Sequence, residues 1–97
     1  MPNIVIPKLV GSRLRAAELA EHSLPRDLTG QMVEVDASSL SSAAQSFADE
    51  LCKQVLELRN ADFLSVHHAT PRFGQHLSAS ARLRGMPERL NVDIRVA

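Results

Sequence analysis

The stretch from Leu90 to Val96 alternates without a break, with Leu90, Val92, Ile94 and Val96 apolar and Asn91, Asp93 and Arg95 polar between them. Successive side chains of a strand leave on opposite faces, so this segment asks for a sheet with one apolar face and one polar face. Val33 and Val35 against Glu34 and Asp36 repeat the demand. A doubly wound fold buries both sheet faces, and its strands read as continuous apolar runs. The alternation therefore predicts a two-layer sandwich with the helices mainly on one face of the sheet. Ile4 to Val10 and Phe63 to His68 also read as strands, from alternation and β-branched content. Pro7 has no N–H to give to a ladder, which places the first strand at an edge.

Three helical stretches separate these strands: roughly Ser12 to His22, Ser42 to Asn60 and Pro71 to Arg84. The order is βαβαβαβ, an α/β domain with a mixed four-stranded sheet. In the middle helix Ala44, Phe47, Ala48, Leu51, Val55 and Leu58 follow the three-and-four spacing of a buried stripe, while Asp49, Glu50, Lys53 and Glu57 take the wet side. Ser42 with Gln45 three residues on forms a capping-box pattern at its start. Thr70-Pro71 pairs an N-cap with the residue best suited to the first helical position, and Gly85 ahead of Pro87 marks the stop. Phe73, Leu77 and Ala81 form the apolar line of that third helix.

At 97 residues the chain fits one domain, residues 1–97. Eleven basic and eleven acidic side chains cancel, which removes the broad electrostatic case for nucleic acid or an acidic membrane as partner. Cys52 is the only cysteine, and no apolar run approaches a membrane span. Met1-Pro2-Asn3 opens without the charged and apolar segments of a signal peptide. The expected setting is cytoplasmic.

Chemistry-bearing residues are sparse. His67 and His68 are strand neighbours expected on opposite faces, so they do not read as two ligands of one metal, and His22 and His76 lie apart from them. Cys52 falls inside the middle helix and reads as a small core residue. Ser46 is not in a Gly-x-Ser-x-Gly elbow, and the four glycines stand singly rather than as a phosphate loop. Neither a catalytic set, a metal nor a cofactor is expected. Arg72 and His76, four apart on the third helix, could meet a phosphate or an acidic partner; five arginines against two acids from Leu64 onward make that end mildly basic.

The element order, together with Gly11-Ser12-Arg13, Val33-Glu34-Val35-Asp36, Ser46-Phe47-Ala48-Asp49-Glu50-Leu51 and Pro71-Arg72-Phe73, resembles the STAS-like domains of unknown function. These are relatives of the sulfate-transporter and anti-sigma-factor-antagonist fold. The resemblance implies a non-enzymatic regulatory module with a protein partner of the kinase or ATPase-type regulator class. In the antagonists the strand equivalent to Val33–Ala37 leads to an Asp-Ser-Ser-Gly turn whose first serine is phosphorylated. Counted from Asp36, Gln45 stands at the phosphoacceptor's place and Ser46 at the second serine's, which makes Ser46 the candidate phosphosite.

The functional expectation is a protein-interaction module that docks through the N-terminal ends of the second and third helices, with Ser42, Gln45, Ser46, Thr70, Arg72 and His76 as the partner-binding residues. The competing readings are a nucleotide- or anion-binding domain using the same helix starts and, third, a small enzyme.

Overall fold

A computed structural model describes residues 2–95. Four strands, β1 (Asn3–Val5), β3 (Met32–Asp36), β5 (Phe63–Ala69) and β6 (Leu90–Ile94), form the main sheet in the order β1-β3-β5-β6. Helices α1 (Arg13–Ser23), α2 (Gln45–Cys52) and α3 (Pro71–Leu83) connect them. All three strand pairings are parallel, so the expected mixed sheet is corrected to a parallel one. The physical reason is that each of the three crossovers carries a helix, which returns the chain to the end of the sheet where it started.

The strands are added in chain order with no reversal. Parallel crossovers are right-handed, so an unreversed order sends every helix to the same face. Burial follows: Ile4, Val33, Val35, Leu64 and Val66 are buried beneath the helices, while Asn3, Asn91 and Asp93 are exposed and Glu34 and His67 half-exposed on the other side. β1 lies at an edge, as Pro7 required. The last expected strand residue, Val96, lies outside the described residues.

The first predicted strand is in fact two. Pro7 interrupts it, leaving β1 on the main sheet and β2 (Leu9–Val10) paired with β4 (Ser42–Ala43) in a small parallel sheet of its own. That pairing also overturns the capping box at Ser42. With Ser42 in β4, the N-cap of α2 is Ala44, which offers no side-chain oxygen, and no side chain caps the helix.

The apolar stripe of the middle helix holds as far as Cys52 and then changes phase. Phe47, Ala48 and Leu51 are fully buried. Over Lys53–Leu58 the winding becomes π-helical, with the Arg59 N–H donating to the Gln54 carbonyl five residues back at 3.2 Å. Closing each turn around one more residue brings Leu56 inward beside Val55 and turns Leu58 out to 55% exposure, so Leu58 is not a core residue. The sequence periodicity assumed α-helical winding throughout.

α3 ends as its sequence demands. Gly85, at φ +72, lets the Gly85 N–H reach the Arg82 carbonyl (3.0 Å) and the Met86 N–H reach Ala81 (2.8 Å), the paired bonds of a Schellman stop. Gly74 has a different role. A Cβ there would sit 2.7 Å from Ile94 Cδ1 and 3.2 Å from Val92 Cγ1; its lack of a side chain lets α3 lie against β6.

Candidate functional site

Parallel strands leading into helices deliver the starts of α2 and α3 to one end of the sheet. After β3, Asp36 Oδ1 accepts the Ser38 N–H at 2.9 Å, which turns the chain. The chain then passes through β4, where Ala44 N–H donates to Val10 O at 3.1 Å, and enters α2. After β5, Thr70 Oγ1 accepts the Phe73 N–H at 3.2 Å and caps α3, as Thr70-Pro71 predicted.

The six expected docking residues lie at this end, but they divide between two depressions. Ser42, Thr70 and Arg72 line a cleft of about 440 Å³ with Ser41 and Phe73. Gln45, Ser46 and His76 line another of about 410 Å³, together with Arg13, Asp49 and Ser80. Arg72 and His76, read from sequence as one face of α3, therefore border different hollows.

The second hollow is organised around Asp49, which the sequence placed on the solvated side of the middle helix. One carboxylate oxygen accepts Arg13 Nη1 at 2.6 Å; the other accepts the Ser80 hydroxyl at 2.8 Å and lies 3.3 Å from Arg84 Nη2. The Arg13 hydrogen bond holds the Asp49 carboxyl below its ordinary value against the opposing effect of desolvation, with Ser80 and the charge of Arg84 adding to it. The same bond raises Arg13. Asp49 thus ties α1, α2 and α3 together beneath Ser46. Its partners are more than thirty positions away in sequence, so no spacing rule connects them. One signal was available: Ser80 falls in phase with Phe73 and Leu77, a polar residue on an inward line that needs a partner.

Beside this a second ionic chain joins α1 to the end of the middle helix. Arg59, 7% exposed, donates to Glu21 Oε2 (3.0 Å) and Gln54 Oε1 (2.8 Å), and Gln54 in turn donates to the buried Glu50 (2.7 Å).

The open face of the sheet holds a serine, a histidine and a carboxylate in contact. Ser65 Oγ lies 3.3 Å, and Glu34 Oε2 2.5 Å, from the same ring nitrogen, Nε2 of His67. A nucleophile–base–orienter set needs the hydroxyl on one imidazole nitrogen and the carboxylate on the other, so this trio does not have that geometry. The expected split of His67 and His68 to opposite faces is replaced by a bulge. β5 takes three steps from Val66 to Ala69 while β6 takes two from Val92 to Ile94, and His68 absorbs the extra residue at φ +59. Arg95 closes the bulge, with Nε on the His68 carbonyl (3.0 Å) and Nη2 on the Ala37 carbonyl (2.6 Å).

Cys52 is fully buried, its thiol directed at the Leu77 carbonyl 3.7 Å away, and desolvation pushes it up to about 11. A thiol so placed is not a nucleophile at neutral pH. No three His, Cys, Asp or Glu side chains gather into a metal-binding group among the described residues, and no helix among them is long and apolar enough to cross a membrane. Comparison with known proteins gave no matching family model, no matching curated protein and no matching solved structure.

Proposed function

We propose that the chain is a small non-enzymatic regulatory module that docks a protein partner at the end of the sheet where α2 and α3 begin, and that it is STAS-like. The observation carrying this reading is the uncapped start of α2. Ala44 supplies no side-chain acceptor and its carbonyl takes the Phe47 and Ala48 N–H groups, so the Gln45 and Ser46 N–H groups remain as backbone donors at the start of α2, in the hollow they share with Arg13 and His76. Donors at a helix start favour an acidic group, by about 0.3–1 kcal/mol from the dipole alone. The chemical poverty of the site supports binding over catalysis, since the Ser65–His67–Glu34 trio and Cys52 lack the geometry and ionisation of a reacting group. Ser46, at the second position of the helix, is where a phosphate would meet the same donors and Arg13.

The test begins with the immobilised chain and extract of its source cells, from which a partner is identified and purified. Direct titration of that partner should then show at least tenfold weaker binding for Ser46→Asp and Arg72→Glu, with Glu18→Lys on the exposed side of α1 unchanged. Full affinity in both test variants would remove the docking surface from this end. The nucleotide or anion reading draws on the same donors and Arg72; it predicts a rise in melting temperature with ATP, GTP or inorganic phosphate, because a ligand selective for the folded chain stabilises it.

A further inference from the structure

β6 is the far edge of the sheet, and its outer side is bare. The Arg95 N–H donates to the Ala69 carbonyl at 2.9 Å. Alternate residues of a strand direct their backbone groups to opposite sides, so the N–H and C=O groups of Val92 and Ile94 point away from β5, and no described residue pairs them. Along this side, between α3 and the strand, runs a hollow of about 550 Å³ bordered by Gly74, Ser78, Ala79 and Ile94, with Ile94 41% exposed. A smaller one of about 220 Å³ continues it past Arg82 to Leu90. Protected edges carry lysine, proline or a bulge on the strand itself; Leu90–Ile94 has neither proline nor lysine.

We propose that a second copy of this chain occupies the seam, the two β6 strands pairing antiparallel about a two-fold axis through Val92 so that the two sheets become one. The sequence of β6 matches its own reverse. With Val92 on the axis, Leu90 lies opposite Ile94 of the other copy on the helix side, and Asn91 lies opposite Asp93 on the open side, an amide against a carboxylate. Moving the axis to Asp93 would set two carboxylates face to face, which is destabilising. Moving it to Asn91 would set Ile94 opposite Glu88. Within Leu90–Ile94, Val92 is thus the register that sets apolar against apolar and no charge against its like; just beyond the strand it brings Arg89 and Arg95 of the two copies opposite each other, with each Arg95 guanidinium held on the His68 and Ala37 carbonyls of its own chain. A two-fold axis normal to the sheet also keeps both α3 helices on the same side, where the small Ser78 and Ala79 leave room for them. The two Arg82 side chains, near the Leu90 ends, fall at opposite ends of the joint.

Sedimentation of the full chain across a concentration series should show a species of twice the 10.6 kDa chain mass. Ile94→Lys should raise the dissociation constant at least tenfold while the melting profile stays cooperative. Val92→Cys should cross-link under mild oxidation, because directly opposed hydrogen-bonded residues sit about 5.5 Å apart, within disulfide reach. Leu14→Cys, 69% exposed on α1, should not. A wild-type chain that stays monomeric throughout overturns the proposal. So does a dimer that survives in folded Ile94→Lys or that Val92→Cys fails to cross-link, and if Ile94→Lys does not fold, the Val92→Cys result decides alone.

Discussion

β1, at one edge of the sheet, is three residues long and lies between Pro2 and Pro7, whereas β6, at the other, runs five residues with no proline inside it and a hollow along its flank. Both are paired on one side only. The first edge is the shorter one: Pro2 and Ile6 turn toward β3, so only Asn3 and Val5 face outward before Pro7, which has no N–H to offer an incoming chain, ends the row. The second is left ready to pair. The difference teaches that edge status, which topology assigns equally to both strands, is a separate matter from edge availability, which side chains decide.

The two edges hang on one core, and the largest expected effect tests that. Leu51, fully buried under α2, should lose about 2–5 kcal/mol of stability on replacement by Ala. Out of a total on the order of 5–10 kcal/mol, that should lower the urea midpoint sharply with one transition for the whole chain. Two separate transitions would show that the β1 and β6 sides fold independently and would break the comparison. Next in size is Gly74→Val. Its side chain would press into Ile94 and Val92, at a cost of about 1–3 kcal/mol. Gly11→Ala, near β2, where nothing lies within 4 Å, should stay within about 0.5 kcal/mol of the parent; equal losses at the two glycines would mean that α3 does not lie on β6 as described.

The caps should show no such asymmetry. Ser12 accepts the Arg15 N–H and Thr70 accepts the Phe73 N–H, both at 3.2 Å, so Ser12→Ala and Thr70→Ala should each cost about 1 kcal/mol in thermal or urea melts. The smallest effect concerns Asp49, which spans both sides through Arg13 on α1 and Ser80 on α3. Its carboxyl titrates below the ordinary 3.8 in the folded chain. Its contribution is therefore complete above that value and is lost as the pH falls below it. The stability gap between parent and Asp49→Asn should be constant near neutrality and close progressively under acid conditions. A gap that widened as the pH fell would reverse the sign of the interaction.

Much of the sheet was legible because alternation is a local signal. Val33 and Val35, Leu90 and Val92 declare their inward face within a few residues, and Thr70-Pro71 and Gly85 mark both ends of α3 in the same local way. β2 and β4 were not legible, since two residues carry no period and their pairing depends on where Pro7 releases the chain. The π-helical turns escaped because an apolar stripe is read by assuming α-helical winding, and Leu58 was misplaced for that reason alone. For the candidate site, the end of the sheet followed from the order of elements. Its division into two hollows did not, because it depends on how closely α2 and α3 approach, and the Asp49 cluster joins three helices at separations no motif spans.

The unreversed strand order also has a kinetic meaning. Ile4 pairs with Val35, Val35 with Val66 and Val66 with Val92, so every ladder of the main sheet joins strands that follow one another in it, and none of them must wait for a distant one to arrive. Loop-closure entropy is then met in similar small instalments rather than in one long step. The unit from Met32 to Ala69 contains β3 and β5, the two inner strands of the main sheet, and opening free energies within a fold are lowest at its margins. Amide exchange should accordingly be slowest in Val33 to Val35 and Leu64 to Val66, with the chain assembling outward from this centre and fraying inward toward it.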